Sequence, residues 1–222
     1  MSLALPALAE SVIRRGNGGE PQSLDQAQIS IDIEGFIIRD LSEGLTVYDA
    51  KGRPITVLRD ENRTSIPLEQ IPNITRTAVV AIEDSRFWSH RGVDPRAVAR
   101  AASSNAEEGE TGQGGSTITQ QYVKTALLSP EKTLQRKLEE ASMALSIERN
   151  YSKELILELY LNTIYFGDGA YGIDAAARSY FGIPASELDL AQSALLAGLI
   201  QAPSRYDPRR HPEAAFKRRN VV

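Results

Sequence analysis

The sequence has 222 residues, and its 25 basic and 29 acidic side chains give a formal net charge of −4 at pH 7. Hydrophobic residues make up 41% and charged residues 24%, which is typical of a globular chain and excludes a mainly disordered or collagen-like one. A bulk nucleic-acid binder would carry a strongly basic balance, so that class is disfavoured. Because the chain has no cysteine, disulfides, cysteine zinc sites and thiol nucleophiles are excluded, and the two histidines disfavour a histidine-rich metal site.

The chain is predicted to begin with a leader or linker over residues 1–44. A glycine-rich stretch at 16–21 interrupts any regular pattern there. No run approaches the roughly 18 to 20 apolar residues that a membrane span needs. Residues 45–60 contain two runs of β-forming residues on either side of an Asp-Ala-Lys-Gly turn, so they predict a β-hairpin.

The rest of the chain is predicted to be helical, which makes the fold class mainly α with a small N-terminal β-hairpin. The predicted helices cover 75–85, 95–105, 116–126, 133–149, 173–180 and 189–200. One further helix is predicted to begin after Ser152, which caps it. Asp94 is a predicted N-cap, and Asp189 with Gln192 predicts a capping box. The helix over 133–149 has one apolar face, formed by Leu134, Leu138, Ala141 and Leu145.

An acidic pair, Glu83 and Asp84, stands at the end of the first predicted helix. It follows an apolar run and precedes Phe87 and Trp88. A carboxyl group among apolar and aromatic side chains is desolvated, which raises its pKa and suits it to proton transfer. The alternative is a pair of solvated acids at a helix end.

A glycine-rich loop feeds the helix over 116–126, which carries Lys124. Glycines before a helix N-terminus expose unpaired N–H groups and favour an anion. The loop lacks the Gly-Lys-Ser/Thr of a Walker A motif, so a nucleotide site is not indicated. A plain flexible loop is the alternative.

Arg136 and Glu140 are four residues apart and share a helix face, with Lys137 beside them. They form either a surface ion pair or a carboxylate that holds cations in a cleft. No nucleophilic triad can be assembled, because Ser116 has only His90 or His211 as bases.

Five segments resemble, in order, the motifs of one family. They are EDSRFWSHRG at 83–92, GSTITQQ with Lys124 at 115–124, RKLEE at 136–140, YSK followed by ILELYLNTIYFG at 151–167, and LLAGL with Pro203 at 195–203. The chain is identified as a member of the peptidoglycan glycosyltransferases. These form lysozyme-like glycosyltransferase family 51, the domain found in class A penicillin-binding proteins and monofunctional transglycosylases.

The resemblance implies a lysozyme-like, two-lobed helical domain over 45–222. It also implies that the chain polymerises lipid II into peptidoglycan strands. The growing strand would move from undecaprenyl diphosphate to the GlcNAc 4-hydroxyl of lipid II, forming a β-1,4 bond with inversion.

The resemblance also implies the site residues. Glu83 matches the family's catalytic base, and Glu140 matches its second glutamate, which would support the leaving-group end. The residues expected to bind substrate are Asp84, Phe87, Ser116, Thr117, Gln120, Gln121, Lys124, Lys132, Arg136 and Lys137. His90 is expected to pack or hydrogen-bond within its motif, and Asp84 to brace the helix end without transferring protons.

Three positions depart from the family pattern, one of them being Gln192, where many relatives have Glu. The family often has Arg where Lys132 stands, and Lys where Glu139 stands. Lys132 keeps the charge without the bidentate fork of a guanidinium, and Glu139 reverses the charge near the donor site.

The implied context is the extracytoplasmic face of the bacterial cytoplasmic membrane. The partners would be lipid II, the glycan strand, the membrane and cell-wall assembly proteins, with no nucleic acid. No cofactor or protein-bound metal is required, although a divalent cation such as Mg²⁺ could sit at the diphosphate. The inhibitor moenomycin should bind near Lys124 and Glu140, and the loop over 107–115 should gate the cleft. We expect a longer, membrane-anchored protein with a transpeptidase domain after residue 222.

Two other functions remain open on the sequence. A lysozyme-like lytic hydrolase would share the glutamate, and a non-catalytic module could scaffold cell-wall enzymes. The first would release fragments from purified sacculi, and the second would bind lipid II without turnover.

Overall fold

The computed structural model describes residues 45–48, 54–58, 62–108, 114–126 and 133–222. The described strands are β1 (Leu45–Tyr48), β2 (Pro54–Leu58), β3 (Asn62–Arg63), β4 (Tyr165–Gly167) and β5 (Ala170–Tyr171). The described α-helices are α1 (Asn73–Glu83), α2 (Pro95–Glu108), α3 (Ile118–Ala126), α4 (Leu134–Asn150), α5 (Lys153–Thr163), α6 (Ile173–Phe181), α7 (Leu190–Leu199) and α8 (Pro212–Arg219). The mainly helical fold class is therefore confirmed. The predicted leader over 1–44, residues 109–113 of the predicted gating loop, and Lys132 lie outside the described residues.

The predicted N-terminal hairpin is confirmed, because β1 and β2 pair antiparallel. A second sheet, with strand order β3-β5-β4, was not predicted. Its strands pair over two or three residues each, which is too short for an alternating pattern to be visible in the sequence. Gly172 follows β5 with a φ of 86° and precedes α6, so a residue with the positive φ that favours glycine joins this small sheet to the next helix.

The predicted helix starts agree with the structure where a polar side chain caps the helix. Asp94 Oδ1 accepts from the Arg96 N–H at 3.0 Å, and the Ser152 hydroxyl accepts from the Leu155 N–H at 3.2 Å. Asp189 and Gln192 form the predicted capping box. Helix α1 starts two residues before its predicted start, at Asn73.

Two groups of helices form the core. Helix α7 packs against both α1 and α8, and α3 packs against both α4 and α5. A buried hydrogen bond of 2.8 Å between the Thr75 and Ser193 hydroxyls joins α1 to α7. The largest fully buried aliphatic side chains include Ile118, Ile156, Leu157, Leu196 and Leu199. Of the helices described here, none has the length and apolar character required to cross a membrane.

The buried face of α4 is not its most apolar face. Leu134, Leu138 and Leu145 are 88%, 70% and 40% exposed. The buried residues of this helix are Glu140, Met143, Ala144 and Ile147. The spacing therefore identified the helix correctly but did not identify its buried side, because a charged residue occupies the side that packs inward.

We predict that Asp189→Ala lowers the free energy of unfolding by about 1 kcal/mol, because it removes the acceptor for the first-turn N–H of α7. Urea unfolding followed by circular dichroism measures this loss. Gln192→Glu is the matched control, since it keeps an oxygen that can accept from the Asp189 N–H. Equal stability of Asp189→Ala and the unsubstituted chain would contradict the prediction.

Candidate active site

Glu83 is the last residue of α1, and its side chain is half-buried. Its Oε2 accepts a hydrogen bond of 2.9 Å from Gln121 Nε2 on α3. Burial raises the pKa of Glu83, and the Asp84 charge acts in the same direction. The Gln121 hydrogen bond and the Arg218 charge oppose this rise in pKa. The result is a carboxyl group that holds a proton more readily than an exposed one.

Asp84 is buried and ties the end of α1 to the start of α3. Its Oδ2 accepts from the Ile118 N–H at 3.0 Å and lies 2.8 Å from His90 Nε2. The carboxylate therefore satisfies one of the N–H groups that a helix start leaves unpaired. In this arrangement Asp84 and His90 brace the structure beside Glu83.

The segment before α3 is also held by side chains. The Thr117 hydroxyl donates to the Gly92 carbonyl, and its N–H donates to Gln120 Oε1 at 3.1 Å. The side chains of Thr117 and Gln120 are buried, so in this conformation they shape the segment and offer little surface to a ligand. Gly92 has a φ of 91°, and a Cβ there would lie 2.6 Å from the Ala144 carbonyl oxygen. This close approach of backbones requires glycine.

Glu140 is fully buried on α4 between two cations. Its Oε1 accepts from Lys137 Nζ, and its Oε2 lies 3.5 Å from an Arg136 Nη. Lys137 Nζ also donates to the Ser116 hydroxyl at 2.9 Å, which joins α4 to the segment before α3. The alternative of a surface ion pair is wrong for this glutamate. Its burial is possible because the charge is paired.

The ring of Phe87 is fully buried between neighbouring side chains. It lies edge-to-face with Trp88, with centroids 5.0 Å apart, and the Lys153 ammonium lies 4.3 Å from its centroid. Although expected to bind substrate, Phe87 exposes no surface to a ligand in this conformation and serves the packing beneath the site.

A known family model covers most of the chain, including all of these contacts. The family model described as Transglycosylase matches residues 51–222. The chain belongs to this family of transglycosylases. The resemblance found in the five motifs is therefore confirmed, and so is the prediction of a peptidoglycan glycosyltransferase domain.

Curated relatives of this transglycosylase chain are penicillin-binding proteins. It is 51% identical over 176 residues to penicillin-binding protein 1A of Aquifex aeolicus (strain VF5), covering 79% of this chain and 24% of the relative. It is 47% identical over 178 residues to penicillin-binding protein 1A/1B of Bacillus subtilis (strain 168), covering 80% and 20%. The chain thus spans a quarter or less of the length of these relatives.

A solved structure also matches the transglycosylase chain. The crystal structure of penicillin-binding protein 1A from Haemophilus influenzae is 24% identical, with a TM-score of 0.42. The match covers 80% of this chain and 17% of that protein.

Helix α3 and the segment before it contact both predicted glutamate sites of the transglycosylase. Gln121 faces Glu83 near the middle of α3, and Ser116 meets Lys137 just before its start. Lys124 lies exposed toward the C-terminal end of α3. Glu139, one of the three departures from the family pattern, accepts from Gln135 Nε2 at 3.0 Å on its own helix.

Sequence reasoning missed two residues that act on Glu83. The Tyr160 hydroxyl, on α5, donates to Gln121 Oε1 at 3.0 Å. The charge of Arg218, on α8, acts on the Glu83 carboxyl. Tyr160 stands among leucine and isoleucine residues of its helix, and no sequence signal marks its hydroxyl as part of the site.

We predict that Asp84→Ala destabilises the chain by about 1–3 kcal/mol, because the Ile118 N–H and the His90 ring lose a buried acceptor. Urea unfolding measures the change. Glu187→Gln, at an exposed carboxylate remote in sequence, is the control and should leave stability unchanged. A loss no larger than that of the control would show that the Asp84 contacts do not hold α1 to α3.

Proposed function

We propose that this chain polymerises lipid II. The growing strand leaves undecaprenyl diphosphate and joins the GlcNAc 4-hydroxyl of an incoming lipid II with inversion, so that a β-1,4 bond forms. One observation carries the proposal: the two glutamates lie in opposite surroundings. Glu83 has an amide as its hydrogen-bond partner, whereas Glu140 is enclosed by Lys137 and Arg136.

Glu83 is the residue suited to accept the proton. Because burial raises the pKa of its carboxyl, the ionised form is a stronger base than an exposed carboxylate. As the sugar oxygen attacks the anomeric carbon, its proton passes to Glu83. The bond from that carbon to the diphosphate oxygen breaks, and the electron pair leaves with the diphosphate.

The cations are suited to the leaving diphosphate. Lys137 is half-exposed, and its ammonium has three N–H donors, of which Ser116 and Glu140 use two. Lys124 is exposed on α3 and adds a second ammonium. Charge-assisted contacts of this kind strengthen as negative charge develops on the departing oxygen, so they favour the transition state. Glu140 holds Lys137 and Arg136 in place.

The part of the chain described by the structure contains no group of three or more His, Asp or Glu side chains that could ligate a metal ion. The proposed chemistry assigns the neutralisation of the diphosphate to lysine and arginine side chains, and a divalent cation such as Mg²⁺ at the diphosphate stays a prediction. Moenomycin, which mimics the donor's phosphoglycolipid, is expected to bind near Lys124 and Glu140.

The proposed substrate carries a lipid tail, which places the reaction at the membrane. We infer that the chain acts at the extracytoplasmic face of the bacterial cytoplasmic membrane. A linked transpeptidase domain and cell-wall assembly proteins remain partners predicted from the family resemblance.

We predict that Glu83→Gln abolishes polymer formation from lipid II on a gel, since an amide of the same shape cannot accept the proton. Glu187→Gln, the exposed control, should polymerise like the unsubstituted chain. Undiminished polymer from Glu83→Gln would remove Glu83 from the mechanism. Fragments released from sacculi would favour the hydrolase, and lipid II binding without turnover would favour the scaffold.

We also predict the pH dependence of the reaction. The base must be ionised, so kcat/KM falls as pH drops through the pKa of Glu83 in the folded chain. Because burial raises that pKa, the acid limb should lie above 4.5, the ordinary value for glutamate. Initial rates of lipid II polymerisation between about pH 4 and pH 8 test this. A limb at or below the ordinary value would contradict a desolvated base.

A further inference from the structure

A chain of two hydrogen bonds connects the core to Glu83. Tyr160 is fully buried on α5, and its hydroxyl donates to Gln121 Oε1 at 3.0 Å. At the other end of the same amide, Gln121 Nε2 donates to Glu83 Oε2 at 2.9 Å. The three residues lie on α5, α3 and α1, so the connection depends on tertiary packing.

We propose that Tyr160 is a positioning residue for the reaction: by holding the oxygen of the Gln121 amide, it keeps the NH₂ end turned toward Glu83. This inference rests on the proposed function, because it takes Glu83 as the base. Tyr160 touches neither substrate nor Glu83 and acts through Gln121.

The direction of the two bonds follows from the chemistry of the phenol. Burial raises the pKa of Tyr160 well above its ordinary value, and the charges of Glu83 and Asp84 add to this. The phenol therefore keeps its proton and can donate it to the amide oxygen. Because the oxygen of the Gln121 amide accepts from Tyr160, the NH₂ group of that amide is the end that faces the Glu83 carboxylate.

This orientation distinguishes the two protonation states of Glu83. An ionised carboxylate accepts from the Gln121 NH₂, whereas a protonated carboxyl would need an acceptor for its own proton. A free amide could rotate and supply its oxygen to the protonated form. Tyr160 opposes that rotation, so it favours the ionised base that the reaction needs.

The other charges that act on Glu83 come from different elements. Asp84, next to it in the chain, favours the protonated form, and Arg218 on α8 favours the ionised form. Helix α7, which packs against α1, contributes the neutral Ser193 hydroxyl to Thr75. Removing the Tyr160 hydroxyl leaves all of these groups in the chain, so it isolates the effect of the amide orientation.

The test is Tyr160→Phe, which keeps the buried ring and removes the hydroxyl. We expect the acid limb of kcat/KM for lipid II polymerisation to move up by roughly half to one pH unit, the effect of losing about one hydrogen bond. At pH values below the limb, the rate of Tyr160→Phe should be about three- to tenfold lower than that of the unsubstituted chain. At pH values well above the limb, the two rates should be equal. A loss that is equal at every pH, or an unmoved limb, would overturn the proposal.

Tyr180→Phe is the matched control. Its hydroxyl donates to the Phe166 carbonyl at 3.1 Å, so this variant also loses a tyrosine hydrogen bond, but one that does not lead to Glu83. Its acid limb should stay where it is in the unsubstituted chain. A shift equal to that of Tyr160→Phe would show that loss of any such bond moves the limb, and would overturn the proposal.

A second variant shows whether the effect passes through Gln121. Gln121→Met removes both ends of the amide and should raise the pKa of Glu83, measured by carbon-13 NMR titration of its carboxyl, even if Tyr160→Phe does not fold. Adding Tyr160→Phe to Gln121→Met should move that pKa no further. An unchanged pKa in Gln121→Met, or an additional shift in the double variant, would overturn the proposal.

The same assay separates this inference from the proposed function. Absence of polymer from the unsubstituted chain, or full activity of Glu83→Gln, contradicts the function itself. Polymer that depends on Glu83, together with an unmoved limb in Tyr160→Phe, contradicts only the positioning role of Tyr160. If polymer formation depends on Glu83, and the acid limb moves in Tyr160→Phe but not in Tyr180→Phe, the result supports both the proposed function and the positioning role of Tyr160.

Discussion

The buried carboxylate of Asp84 is the contact on which the rest of the site depends. It accepts from the first N–H of α3 while it holds His90, so the end of α1 and the start of α3 have one relative position. Glu83 precedes it directly in the chain, and this position places Glu83 beside Gln121. A buried carboxylate of this kind is stable only while its hydrogen bonds are made, which makes the alignment of the two helices a condition of folding.

Helix α3 and the segment before it contact the surroundings of two carboxyl groups, and these surroundings differ chemically. Glu83 is desolvated and has a neutral amide as its partner, whereas Glu140 is enclosed by Lys137 and Arg136. The first arrangement favours a group that exchanges a proton, and the second favours one that orients cations. Two residues of the same type thus acquire different roles from their neighbours alone.

The sequence predicted those features whose causes are local. Capping by Ser152 and by Asp189 depends on residues within three positions, so the helix starts were found. The motifs identified Glu83 and Glu140 through resemblance. The buried side of α4 and the short second sheet were not predictable in the same way, because partners distant in the chain decide them. Tyr160 is the clearest case: its hydroxyl contacts a residue 39 positions away, and its sequence surroundings indicate only a core aromatic.

The distribution of burial across the site matches the demands of the proposed transfer to a sugar hydroxyl. A proton acceptor gains strength from desolvation, so it belongs where the helices pack, and Glu83 is linked there to the fully buried Tyr160 through Gln121. The cations proposed to receive the diphosphate must be able to reach it, and Lys124 is exposed and Lys137 half-exposed. If both functions lay at the surface, water would weaken the base. If both lay in the core, the proposed diphosphate could not approach its cations. Helix α3 contacts Glu83 through Gln121 and carries the exposed Lys124, so it connects the packed base to the surface.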